Sequence, residues 1–177
     1  GAEWHLAEPT PVQELQWRDL EAGGITAMGE ALELVAGVLQ SPPMEERALP
    51  PVLVLISDGQ PTDDFDAGLA KLMRQPWAQK AVRLAIAMGH DADLEVLQHF
   101  IGPEPSGGGK SPRRPLQASN ATTLAQYIQW ASTAVVGAAS MPASRLNEAA
   151  DEGGNIPLPD LPPTLLDPVD DVGPLVW

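Results

Sequence analysis

The chain has 177 residues, enough for one domain and a tail, and 44% of them are hydrophobic, so a real core can form although only 5% are aromatic. Ten Lys and Arg stand against 24 Asp and Glu, a net charge of −14. That balance argues against nucleic acid and anionic membrane surfaces, which demand cationic neutralisation, and suits basic partners, divalent cations or plain solubility. With no cysteine, disulfides, zinc–thiolate centres and thiol nucleophiles are excluded. No apolar run approaches the roughly 20 residues of a membrane span, and nothing at the start resembles a signal peptide. A cytoplasmic location is expected.

Trp4, Leu6 and Val12 to Trp17 read as short, Pro-interrupted extended segments near a sheet edge. Met28, Ala31, Leu32, Val35, Val38 and Leu39 then recur at helical spacing. Thr26, after Gly23-Gly24, is well placed to start that helix. Val52 to Ile56 form an unbroken apolar run that ends in Ser57-Asp58-Gly59 and Pro61. Such a run predicts a strand buried on both faces, and hence a parallel sheet. Phe65, Leu69, Leu72 and Met73 predict a second helix, closed by Pro76.

Ala81 to Met88 repeat the buried-strand pattern and stop at Gly89. Leu94, Leu97 and Ile101, with Val96 and Phe100, mark a helix started by Asp91 or Asp93. Pro115 to Ala118 suggest a brief strand. Leu124, Tyr127, Ile128, Ala131 and Val135 trace a further helix, capped by Ser119 or Asn120. This alternation predicts an α/β fold with helices on both faces of a parallel sheet.

Residues 102–114, rich in Gly and Pro, read as a mobile surface loop. Residues 1–139 read as the domain and 140–177 as an acidic, Pro-rich tail, a linker or docking segment. Seven acids and no base fall within 148–177, so half of the net charge lies there. Leu165, Leu166, Val176 and Trp177 are its candidate anchors, on a partner or on exposed sheet.

Asp58 is the first candidate for chemistry. It follows a buried strand, where open parallel sheets place their ligands, yet Asp-Gly is also an ordinary turn. Asp63 and Asp64 precede a helix and suit capping. Thr26 suits capping too, although its hydroxyl is also a fit ligand for Mg²⁺ or its water. Gly107-Gly108-Gly109-Lys110-Ser111 is not a phosphate loop: Glu104 stands where the first Gly belongs, and Pro112 blocks the following helix. His5, His90 and His99 show no metal spacing, and no nucleophile–base arrangement can be assembled, so no catalytic residue is expected.

Three blocks, LEAGGITAMGEAL (20–32), VLVLISDGQPTD (52–63) and LAIAMGHDADLEVL (84–97), together resemble a von Willebrand factor A (VWA) domain. The likeness is to the tellurium-resistance TerY-like branch and spans roughly residues 1–137. It implies a three-layer α/β/α, doubly wound, mostly parallel sheet. It also implies a metal-ion-dependent adhesion site at the sheet's carboxyl edge, with Mg²⁺ (Mn²⁺ or Ca²⁺ as substitutes) and a protein partner's carboxylate. The threonine role falls on Thr26 and the aspartate role on Asp58. The family's Asp-x-Ser-x-Ser does not occur in this chain, so the fold is expected to be incomplete at its N-terminus, with the missing strands and ligands upstream of Gly1. The resemblance implies a non-enzymatic interaction module in stress or phosphorylation signalling. Two alternatives stand beside it: a metal-dependent phosphoryl-transfer or hydrolytic enzyme using Asp58 with Asp63, and a scaffold with a dead metal site that binds through its tail.

Overall fold

Among the described residues three parallel strands form one sheet in the order β1-β2-β3, with β1 Val52–Ser57, β2 Val82–Met88 and β3 Leu116–Ala118. The computed structural model describes residues 1–8, 10–11, 13–20, 23–45, 48–103, 114–140 and 159–162. Helix α1 (Met28–Val38) precedes β1, α2 (Phe65–Met73) and α3 (Pro76–Lys80) link β1 to β2, and α4 (Leu94–Ile101) links β2 to β3. After β3, α5 (Ala121–Trp130) runs through one π-helical segment, 131–135, into α6 (Val136–Ala139). The α/β class expected from the alternation is therefore present. Among the described residues no helix is long and apolar enough to cross a membrane.

The side-chain alternation of the strands divides the core. Leu53, Leu55, Ala85 and Ala87 pack with Met28, Leu32, Phe65, Leu69, Leu72, Leu97 and Phe100, the apolar stripes of α1, α2 and α4. The opposite parity, Val82, Leu84 and Ile86, meets Trp130, Val135 and Tyr127 of the C-terminal helical run. Small alanines on one side of β2 and branched residues on the other let helices approach both of its faces closely. Ile86, Leu97 and Val135 are completely buried.

Several expectations need correction. β1 is not buried on both faces: Val54 is 38% and Ile56 is 37% exposed. The register explains this, because Val54 and Ile56 lie opposite Leu84 and Ile86, at the margin that α5 and α6 leave uncovered. An apolar run alone reports what a strand is built to bury, not whether the partner surface is present. β2 is the strand buried on both faces. The N-terminal segments do not pair as strands among the described residues. Instead the His5 ring lies tilted against Trp17 at 4.7 Å between ring centres, the Ala2 amide donates to Glu30, and Trp17 stays 60% exposed. Pro76 does not close a helix but opens α3 at its first position, where the missing N–H costs nothing.

Helix termini follow local chemistry elsewhere. Asp93 is the cap of α4, accepting from the Glu95 and Val96 amides at 3.1 Å each, and Asn120 caps α5 through the Thr123 amide at 2.8 Å. At the far end of α4, Gly102 turns with φ +97°, and half-buried Arg83 of β2 donates from Nε (3.3 Å) and Nη2 (3.1 Å) to the Ile101 carbonyl. Another of its nitrogens contacts the Met73 sulfur. Burial pulls the Arg83 pKa down, but a guanidinium stays charged. Arg83→Leu is expected to cost about 2 kcal/mol, since it strips a terminal helix carbonyl of a charged donor; urea unfolding measures it.

Most of the expected loop 102–114 lies outside the described residues, as do the tail anchors Leu165, Leu166, Val176 and Trp177. One short piece of the tail, 159–162, is described. Its Leu161 packs against both clusters on the α5–α6 side of the sheet.

Candidate functional site

β1 ends in a self-contained turn. Ser57, the one buried polar residue of the core among the described residues, accepts from the Gly59 amide at 3.3 Å and donates to the Gly59 carbonyl at 3.2 Å. The bonded Ser–Gly pair leaves Asp58 on the outside of the turn, exposed. The chain then runs along the carboxyl edge of the sheet, and the Thr62 amide donates to the Thr26 carbonyl at 2.9 Å. That single backbone bond joins the loop after β1 to the segment before α1. Thr26 and Asp58, distant in sequence, thus belong to two loops tied together at one edge of the sheet.

Thr26 does not cap α1. The helix begins at Met28, its N-cap is Ala27, and no side chain of the local sequence bonds to its first turn. Asp63 does that work from the other loop. Its Oδ1 accepts from the Gly29 amide at 2.9 Å and its Oδ2 from the Glu30 amide at 2.8 Å. Asp63 is therefore a cap, as expected of its residue type, but for a helix far upstream in the chain. Asp64 is the residue that caps α2, through the Ala67 amide at 2.9 Å. Sequence distance hid the division of labour. Either acid could cap α2, and only tertiary structure reveals that a second helix start lies alongside.

Burial pushes the Asp63 carboxyl up, but the amides of Gly29 and Glu30 outweigh it and hold the group below its ordinary value of 3.8. The aspartate is ionised at neutral pH with both oxygens engaged by backbone, which suits an anion at a helix N-terminus. It is poorly placed to act as the acid or base of an enzyme alongside Asp58.

The close approach of α1 and α2 is set by two glycines. A Cβ on Gly68 would stand 2.4 Å from the Gly29 carbonyl oxygen and 2.6 Å from its Cα. A Cβ on Gly29 would stand 2.4 Å from the Asp64 carbonyl oxygen. Backbone thus touches backbone where the two helices meet, and this contact brings Asp63 within reach of the α1 amides. The exposed Lys71–Glu33 pair, 2.6 Å apart, spans the same helices.

An open depression of about 370 Å³ lies beside these loops, lined in part by Asp63, Asp64, Asp66, Glu95 and His99. Two of its acids, Asp63 and Asp64, are caps, and Asp66 lies 3.2 Å from the exposed His99. It includes neither Asp58 nor Thr26. Among the described residues no group of three or more Asp, Glu or His is gathered as metal ligands would be. His90 is exposed and His5 is engaged with Trp17.

Mg²⁺ demands six oxygens in near-octahedral array at about 2.1 Å. Thr26 and Asp58 offer one hydroxyl and one carboxylate, so these two residues alone do not fit the ion. Comparison with known proteins adds no further guide: no family model, no curated protein and no solved structure matches the chain.

Proposed function

We propose that the chain is a non-enzymatic, VWA-type interaction module that binds a protein partner at the carboxyl edge of its sheet. The observation that carries this reading is the Thr62 N–H···O=C Thr26 bond, which brings the Thr26 loop to the loop following exposed Asp58. Support comes from the general rule that open parallel sheets bind their ligands beyond the carboxyl ends of their strands, since Asp58 directly follows β1 and the Thr26 backbone is bonded to the loop behind it. The bare flank of β1 supports the finer reading of a doubly wound, three-layer sheet that continues beyond β1. Stress or phosphorylation signalling in the cytoplasm is the setting the resemblance implies.

In this reading Asp58 and Thr26 are two ligands of a site that water and the partner's carboxylate complete, since Mg²⁺ keeps several waters at its protein sites. Calorimetric titration tests it. This polypeptide alone is expected to bind Mg²⁺ or Mn²⁺ more weakly than about 10⁻³ M, the weak end for oxygen-ligated sites. With a carboxylate-bearing partner present, Thr26→Ala and Asp58→Ala should each lower the metal affinity of the 177-residue chain at least tenfold. Unchanged binding in both variants removes the assignment.

A further inference from the structure

We infer that the groove along α4 takes an extended, basic segment of a protein partner, its apolar side chains on Leu94 and Pro103 and its cations at Glu95 and Asp66. Two depressions meet there. One, open and about 720 Å³, runs along α4 from Leu94 to Gly102 and Pro103. The other is the acidic depression of about 370 Å³ at the start of α2. Glu95 and His99 line both, so the two lie side by side. Neither Thr26 nor Asp58 lines either of them, and the inference does not rest on the metal-site reading.

The larger depression is apolar for local reasons. Leu94 opens α4 and stays 42% exposed, although Leu97, Phe100 and Ile101 of the same helix are buried. Gln98 donates from Nε2 to the Gly102 carbonyl at 2.9 Å, which leaves its methylenes as groove wall. Exposed Pro103 brings carbon surface and no N–H. From Leu94 to Gly102 the helix rises about 12 Å, the span of roughly four extended residues.

Charge complementarity selects the occupant. Asp63, Asp64, Asp66 and Glu95 line the smaller depression, and no Lys or Arg does. These acids stand at the starts of α1, α2 and α4, each of which offsets about half a charge. Four carboxylates against three helix starts leave the site net negative. Glu95 carries no ion pair among the described residues. The acids are not gathered around one point as metal ligands would be, so they suit cations spaced along a chain. An apolar wall beside an acidic one fits a peptide that alternates aliphatic and Arg or Lys side chains. The phosphates of nucleic acid would be repelled.

The probe is a fluorescein-labelled heptapeptide, Arg-Lys-Leu-Arg-Leu-Lys-Arg, titrated by fluorescence anisotropy with the 177-residue chain at about 0.15 M salt. A dissociation constant of about 10⁻⁴ M or tighter is expected. Exchanging both peptide leucines for serine keeps the charge and should weaken binding about tenfold. Leu94→Ser should weaken it about fivefold, and Asp66→Asn/Glu95→Gln about fivefold as well. Glu14→Gln/Asp19→Asn removes the same charge from exposed positions elsewhere and should change binding by less than about twofold. Equal losses in the two charge variants, equal binding of the leucine and serine peptides, or unchanged binding in Leu94→Ser would mean general attraction to an acidic chain, and each overturns the groove. Binding weaker than about 10⁻³ M overturns it too. So does self-association of the chain that Leu94→Ser abolishes, which would give the groove to a second copy.

Discussion

Gly68→Ala is expected to lower stability by about 3 kcal/mol, the upper end for overpacking a well-packed site. On propensity alone the change should help, since alanine is worth about 1 kcal/mol over glycine inside a helix. The contact reverses the sign. The added carbon would lie 2.4 Å from a backbone oxygen of α1, and backbone, unlike a side-chain tip, does not swing aside. Relief requires moving α1 as a whole, which drags Gly29 and Glu30 away from Asp63. Gly37→Ala is the matched control. Gly37 is exposed in α1 with nothing near its missing Cβ, so the same exchange should stabilise by up to about 1 kcal/mol. Urea unfolding of both variants checks the pair. Equal effects would show that the two helix backbones do not meet at Gly68.

Asp63→Ala is expected to cost about 2 kcal/mol, the upper end for one helix cap, because two charge-assisted bonds are lost together. The effect should depend on pH in a defined sense. The folded-state pKa lies below the ordinary 3.8, so the folded protein prefers the ionised form more strongly than the unfolded chain does. The contribution is complete above the unfolded value and disappears as pH falls through the lower folded one. The stability gap between the native chain and Asp63→Ala should be constant near neutrality and close in acid below about pH 4. A gap that persists unchanged in acid would mean that the carboxylate charge is not what holds α1.

Most of the fold is legible in local chemistry. The helical spacing of Met28, Leu32 and Val35, the apolar runs at 52–56 and 81–88, and the caps Asp93 and Asn120 depend on neighbours within a few residues. What the sequence conceals is relational. Val52 to Ile56 has the composition of a doubly buried strand, yet two of its residues are bare because burial belongs to the surroundings. Thr26 has the composition of a cap, yet the cap of α1 is Asp63 because two glycines bring α2 against that helix. At the candidate site, Asp58 is legible as a strand-end carboxylate. The Thr26–Thr62 bond that ties the two loops is not, since backbone bonds carry no residue signature.

The borrowed cap also sets an order of events. An 11-residue helix is marginal by itself in water, and α1 has no side-chain cap of its own. It is expected to consolidate only once β1 and the following loop bring Asp63 and the core its apolar face packs on, so a helix synthesised early would settle late. Kinetics of Asp63→Ala would read this directly: its destabilisation should appear as faster unfolding, with the folding rate nearly unchanged. On that outcome, a helix placed early in the chain would act as a late latch on the loop that carries Asp58.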